Sequence, residues 1–221
     1  MKLITKGIAF LLTGLVVMGA LFFLSAGTMQ YWNGWLMLGI LFIPMLLMGL
    51  VLLVKDRLLL EKRLQLKEKQ TTQKGVVALS GLMFLAGFVL AGLDFRFGWL
   101  PLPKAVSVIA AVIFLAGYGM YAEVLRENTY LSRTVEVQED QKVIDTGLYG
   151  IVRHPMYTAT LLMFLAMPLV LGSVIALAVF LAYPVIIIAR LKNEEQVLEE
   201  GLKGYTEYKQ KVKYRLLPFI W

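Results

Sequence analysis

Long apolar stretches without a charged side chain alternate with short basic ones along the 221 residues of this chain. A helix needs roughly 20 apolar residues to cross the hydrocarbon core of a bilayer, which is about 30 Å thick. Each uncharged stretch is long enough for one or two such helices. The pattern predicts six apolar segments, at 7–27, 34–54, 76–93, 104–124, 156–172 and 173–190.

These segments predict an all-α fold, a polytopic membrane helix bundle of about five to six transmembrane segments. The last two segments are joined by Leu171-Gly172-Ser173 and would form a C-terminal helical hairpin, which need not cross the bilayer fully. Composition agrees, since the chain is 59% hydrophobic and 17% charged, whereas soluble domains are about 45–50% apolar and about 25% charged. The first segment is longer than the apolar region of roughly 7–15 residues in a signal peptide, so we expect a retained helix.

Basic residues are concentrated in the segments that would face one side of the membrane. That side carries 20 of the 22 lysines and arginines, seven of them in the 55–74 loop, and the other side carries only Arg96 and Lys104. Because Lys and Arg favour the cytoplasmic side, we expect both termini and the active site in the cytoplasm, at a prokaryotic inner or plasma membrane. The chain then divides into N-terminal helices at 1–125 and a region at 126–221 in which any catalytic chemistry would lie.

Several classes of chemistry are disfavoured by composition. The chain has no cysteine, so disulfides and thiolate sites are excluded. With one histidine and no acidic cluster inside an apolar segment, we expect no metal site. The net charge of +7 is distributed as in a protein that contacts anionic membrane lipids, and we expect no nucleic-acid partner.

The stretch GLYGIVRHPMY at 147–157 gathers cationic and aromatic residues between two apolar regions. Pro155 suits the first position of a helix, which places His154 at the cap and Tyr157 in the first turn. A helix start beside Arg153 is a seat for a carboxylate or phosphate. The residues alone fit equally well with a cationic boundary at the membrane surface.

A second polar group, Arg190, Glu194 and Glu195, follows the last apolar segment. The chain after it has the spacing of a helix with one apolar face, and Gly201 and Gly204 indicate a break. The tail from 214 to 221 mixes Arg215 with apolar and aromatic residues, which suggests docking on the membrane or on the site.

Two acids near the end of the fourth apolar segment, Glu123 and Glu127, are interpreted as structural. We expect them to pair with Arg126 or Arg133.

Two stretches, DTGLYGIVRHPMY at 145–157 and ARLKNEEQVLEEGLKGYTEYKQKVKYRLLPFIW at 189–221, resemble the isoprenylcysteine carboxyl methyltransferase family. They are also similar to the membrane phospholipid methyltransferases. The resemblance covers roughly residues 120–221 and departs at Ala159, where the family commonly has glycine. It implies a membrane enzyme that binds S-adenosyl-L-methionine and transfers its methyl group to a lipophilic substrate, foremost a carboxyl group of an isoprenylcysteine-like molecule.

The resemblance also implies which residues form the site. Our own candidates for catalytic residues are Arg153 and Arg190, and we hypothesise that Arg190, which stands beside the hairpin, orients a substrate carboxylate. Cations would hold the methionyl carboxylate, acidic side chains the ammonium and ribose hydroxyls, and tyrosine faces the sulfonium and adenine. The implied cofactor-binding residues are Gly147, Leu148, Tyr149, Arg153, His154, Tyr157, Glu194 and Glu195.

Three alternatives remain open from the residues. An NADPH-dependent sterol-type membrane reductase has a similar arrangement of Arg-His, tyrosine and Leu-Pro. A phospholipid or amine N-methyltransferase would share the cofactor but not the acceptor. A non-catalytic membrane protein is also possible, although a transporter is expected to carry polar or broken helices near the midplane.

Overall fold

The computed structural model describes residues 2–64, 71–132, 135 and 137–221. In these ranges the chain is helical, without a strand, and a 3-10 turn at Gly147–Gly150 precedes the sixth helix. The helices are α1 (Lys2–Ala26), α2 (Trp32–Lys55), α3 (Arg57–Arg63), α4 (Thr71–Phe97), α5 (Lys104–Glu127), α6 (Pro155–Val170), α7 (Val174–Phe180), α8 (Tyr183–Gly201) and α9 (Tyr205–Lys211).

The predicted all-α, multi-pass bundle is confirmed. Five helical segments are long and apolar enough to span a membrane, and α6 is a shorter apolar helix. The five segments are Leu3–Ala26, Trp32–Lys55, Gln73–Phe97, Lys104–Glu127 and Val174–Gly201. The first five predicted apolar segments each correspond to one helix. Part of the basic 55–74 loop lies outside the described residues.

The sixth predicted segment is divided into α7 and α8 by a turn at Leu181 and Ala182. The cause is Pro184, which has no N–H to donate and whose ring clashes with the carbonyl of the residue four positions earlier. That residue is Phe180, the last of α7. Beyond the turn, α8 continues well past the predicted boundary at 190 and ends at Gly201.

The bundle has two ends, defined here by the helices that meet there. At the basic end α1 begins, α2 and α5 end, and α6 begins; at the far end α1 and α4 end and α2 and α5 begin. The hairpin turn lies at the far end, where the Tyr31 hydroxyl donates to Leu171 O at 2.6 Å and the Ser173 hydroxyl to Asp94 Oδ2 at 2.5 Å. The hairpin therefore crosses the whole depth of the bundle.

Small residues let the helices approach closely, as is usual for helix packing in membranes. A Cβ at Gly117 of α5 would lie 2.9 Å from Met163 Cγ and 3.2 Å from Ala159 O, both on α6. Ala159 itself is fully buried. The α5–α6 contact thus accommodates alanine at this position. The same contact fixes the position of α6, whose first residues belong to the candidate site.

Candidate functional site

A cavity opens at the basic end of the bundle, between the start of α6, the second half of α8, α9 and the loop that follows α5. Six of the residues predicted for the site line it: Tyr149, Arg153, His154, Tyr157, Arg190 and Glu194. The other three, Gly147, Leu148 and Glu195, lie outside its lining. Asn128, Tyr205 and Tyr208 line it without having been predicted as site residues.

Gly147 and Leu148 support the cavity wall through Glu127 at the end of α5. The Leu148 amide donates to Glu127 Oε2 at 3.1 Å. Gly147 has φ +50°, and a Cβ there would overlap the Glu127 carboxylate. The 3-10 turn then presents Tyr149, whose hydroxyl accepts from Asn128 Nδ2 at 2.9 Å. Hydrogen bonds to Glu127 and Asn128 thus attach the turn to the end of α5.

The two acids of α5 have different partners. Glu123 forms the expected pair with Arg126, with Nε to Oε2 at 2.8 Å and Nη2 to Oε1 at 2.6 Å, on the surface. Glu127 caps the Leu148 amide instead. The other predicted partner, Arg133, lies outside the described residues.

The start of α6 has the predicted form, with His154 at the cap and Pro155 at the first position. The amides of Arg153 and His154 donate to the carbonyls of Tyr214 and Arg215, at 2.9 and 3.0 Å. The tail therefore docks on the site, one of the two arrangements expected from the sequence. These two amides next to the helix start therefore donate to the tail and not to the cavity.

Glu195 is the centre of a buried ion cluster that joins α8, the start of α6 and the tail. Its Oε1 lies 2.7 Å from Arg153 Nε and 3.3 Å from His154 Nε2, and its Oε2 lies 2.9 Å from Arg215 Nε. Arg153 Nη1 also donates to the carbonyls of Val212 and Lys213. Glu195 is 3% exposed, and loss of a buried carboxylate that pairs with two arginines would leave buried charge without a partner.

A second network ties α4, α6 and α8 together beside the cavity. Arg190 Nε donates to the Tyr157 hydroxyl at 2.9 Å, and the Tyr157 hydroxyl donates to Glu194 Oε2. Arg190 Nη1 donates to Gln73 Oε1 at 2.8 Å, and Gln73 Nε2 donates to Asn193 Oδ1 at 2.7 Å. Gln73 is fully buried. Sequence reasoning missed it, although a glutamine just before a long apolar run was a signal.

Three buried tyrosines give the cavity neutral hydroxyl groups. Burial raises the pKa of Tyr149, Tyr205 and Tyr208 above the ordinary value for tyrosine, because a low-dielectric environment disfavours the phenolate. The Tyr208 hydroxyl donates to Tyr149 O at 2.7 Å. The Tyr205 hydroxyl is buried and has no hydrogen-bond partner in the described part of the chain.

The lining thus combines one carboxylate, five phenols, two amides, a serine, an imidazole, a lysine and two arginines with apolar side chains such as Leu198 and Leu202. Among the described residues, no three or more His, Asp or Glu side chains are grouped so as to hold a metal ion. Such a lining can bind a polar molecule with a nucleoside-sized apolar part and orient it by hydrogen bonds.

Residues 105–203 match a family model described as phospholipid methyltransferase. The match runs from the start of α5 past the end of α8 and includes the cavity-forming part of both helices α6 and α8. Phospholipid methyltransferases belong to the same membrane methyltransferase superfamily as the isoprenylcysteine carboxyl methyltransferases. The match supports a membrane methyltransferase in general.

The chain is also similar to Delta(14)-sterol reductase TM7SF2 of Mus musculus, with 30% identity over 135 residues. The aligned part covers 55% of this chain and 32% of the reductase, so the chain spans about a third of the length of this curated relative.

Proposed function

We propose that this protein is a membrane methyltransferase that uses S-adenosyl-L-methionine and methylates a lipophilic acceptor. The observation that carries the proposal is the position of the cavity. It lies between α6 and α8 at one end of a bundle of apolar helices, and all of its lining residues except Tyr205 and Tyr208 belong to the region that matches the methyltransferase family model. A lipid-like acceptor can reach this end from the bilayer while a polar cofactor enters from water.

The residues present fit such a cofactor. The Tyr205 hydroxyl lacks a partner within the described structure, and Glu194 lines the cavity as an acceptor for an ammonium or for ribose hydroxyls. Tyr149 and Tyr157 offer aromatic faces to adenine or to a sulfonium cation. Arg153 and His154 would meet the methionyl carboxylate from the side opposite Glu195.

The remaining predicted cofactor residues would act indirectly. Gly147 and Leu148 hold the turn that carries Tyr149, and Glu195 holds Arg153 and His154 in place. We therefore propose for these three a positioning role.

When bound, S-adenosyl-L-methionine supplies an electrophilic methyl group attached to a sulfonium. A direct displacement needs little acid–base assistance, so the protein contributes alignment and exclusion of water. Arg190 is positioned by Tyr157 and Gln73, and we propose that it orients the acceptor's carboxyl group. That role favours an isoprenylcysteine-like acceptor, whereas the description of the matching family favours a phospholipid amine.

A sterol-type reductase that uses NADPH is the second candidate, supported by the identity with the sterol reductase. A dinucleotide brings several phosphate charges, which need cations. Of the lysine and arginine side chains that line the cavity, Arg153 already contacts a carboxylate and Arg190 a phenol and an amide, so Lys142 is the main cation left for several phosphates. This arrangement suits a compact zwitterionic nucleoside better than a dinucleotide.

Calorimetry with the full chain purified in detergent distinguishes the candidates. We expect S-adenosylhomocysteine to bind and NADPH not to bind. Binding of NADPH alone would establish the reductase alternative, and binding of neither would favour a non-catalytic protein. Transfer of labelled methyl groups to an S-farnesylcysteine derivative or to phosphatidylethanolamine then separates the two acceptor classes.

The role of Arg190 has its own test. We expect Arg190→Ala to reduce turnover strongly while S-adenosylhomocysteine still binds, because the acceptor and not the cofactor loses its partner. Unchanged turnover, together with loss of cofactor binding in Arg153→Ala, would assign the cationic role to Arg153 alone.

A further inference from the structure

Tyr205, the first residue of α9, differs from the other buried tyrosines of the described chain. Its side chain lines the cavity and the residue is 4% exposed, yet its hydroxyl has no hydrogen-bond partner there. The hydroxyls of Tyr208 and Tyr183 donate to Tyr149 O at 2.7 Å and to Thr160 Oγ1 at 2.9 Å. Buried polar groups are nearly always paired, and one that is not requires an explanation.

The surroundings of Tyr205 indicate what could pair with it. The Glu194 and Glu195 carboxylates and the Arg153 guanidinium are close enough to act on its pKa, which burial raises above the ordinary value. The phenol therefore stays protonated at neutral pH and is a hydrogen-bond donor. What the hydroxyl lacks is an acceptor within hydrogen-bond distance among the described residues.

We propose that the Tyr205 hydroxyl donates a hydrogen bond to the molecule that occupies the cavity. Tyr205 is then a ligand-binding residue whose hydroxyl the fold itself does not use. The ligand group it meets is an acceptor, such as a carboxylate, a hydroxyl or a ring nitrogen. The identity of that ligand as S-adenosyl-L-methionine rests on the proposed function, whereas the role of Tyr205 as a donor rests on the cavity alone.

The role of Tyr205 predicts a separation of affinity from stability. We expect Tyr205→Phe to weaken S-adenosylhomocysteine binding by about tenfold, the effect of one lost hydrogen bond. Its melting temperature without ligand should be unchanged or higher, because the substitution removes a buried group without a partner. The matched control is Tyr183→Phe, a buried tyrosine away from the cavity, which should melt at a lower temperature and bind with wild-type affinity.

Calorimetry and thermal unfolding of the wild type and both variants, with S-adenosylhomocysteine and NADPH as probes, give distinct outcomes. A lower melting temperature of Tyr205→Phe without ligand, or wild-type affinity for the probe that binds, would overturn the role of Tyr205. If the wild type binds NADPH alone and Tyr205→Phe weakens that binding, the inference stands and the methyltransferase proposal fails. A wild type that binds neither probe overturns both.

Discussion

The adjacent carboxylates Glu194 and Glu195 lie in different environments because successive residues of an α-helix point about 100° apart. Glu194 faces the cavity and accepts a hydrogen bond from Tyr157. Glu195 faces the tail and contacts Arg153 and Arg215. At the scale of single residues, two adjacent glutamates thus differ in their surroundings: Glu194 lines the cavity and Glu195 belongs to the buried ion cluster.

This division predicts opposite phenotypes for two conservative variants. We expect Glu195→Gln to lower the free energy of unfolding by about 3–5 kcal/mol, because the buried Arg153 loses its counter-charge. Glu194→Gln should cost about 1 kcal/mol or less but weaken S-adenosylhomocysteine binding. Thermal unfolding and calorimetry measure the two effects, and equal destabilisation by both variants would contradict the assignment.

Gly147 has a positive φ and lies close to Glu127, so we expect any side chain at this position to lower the stability of the protein. Gly147→Ala should destabilise the protein by about 1–3 kcal/mol, since it combines a positive φ with an overlap at Glu127. Gly119→Ala, in the same α5 helix as Glu127 and with open space around its Cα, should be neutral or stabilising by up to about 1 kcal/mol. Thermal unfolding of both variants checks the difference.

At the scale of elements, α4 is tied to α8 by one buried amide. Gln73 accepts from Arg190 and donates to both the Arg190 carbonyl and Asn193. This contact comes from a helix outside the region that matches the family model. The N-terminal helices thus take part in positioning the candidate site.

The tie predicts that Gln73→Leu disturbs the site through α8. We expect a loss of about 1–3 kcal/mol in stability, because polar partners on α8 are left buried and unpaired, and reduced turnover. Ser80→Ala is the control within α4, since the Ser80 hydroxyl bonds only its own helix at Val76 O among the described contacts. That variant should stay within about 0.5 kcal/mol of wild type; wild-type turnover in Gln73→Leu would show that α4 does not position Arg190.

At the scale of the whole molecule, the charge bias predicts that the basic end and the cavity face the cytoplasm. The chain has no cysteine, so single cysteines report orientation without background. Met29, in the far-end turn, and Glu139, in the loop beside the cavity, are both exposed.

The measurement is labelling by a membrane-impermeant maleimide. In intact cells we expect Met29→Cys to be labelled, and Glu139→Cys to react only after the membrane is permeabilised. The opposite pattern would reverse the proposed orientation and place the candidate site on the outer side.

The sequence by itself determined the features that depend on local pattern. Uncharged runs of sufficient length predicted the helices of the bundle, Pro155 predicted the start of α6, and Gly204, which has φ +88°, predicted the break before α9. The motif around Arg153 and the acids of α8 also indicated a common site, because a short hairpin returns the chain to the same end.

Only the tertiary structure decided which polar groups face the cavity and which hold the fold. The pairing of Glu195 with the tail and the contact of Gln73 with Arg190 join residues far apart in the chain. The same packing buries the Tyr205 hydroxyl without a partner among the described residues. The depth of the hairpin was likewise decided by its hydrogen bonds with Tyr31, which precedes α2, and with Asp94 of α4. The spacing of apolar residues along the chain predicts which positions are buried. The hydrogen-bond partner of a buried polar group depends instead on how the helices pack.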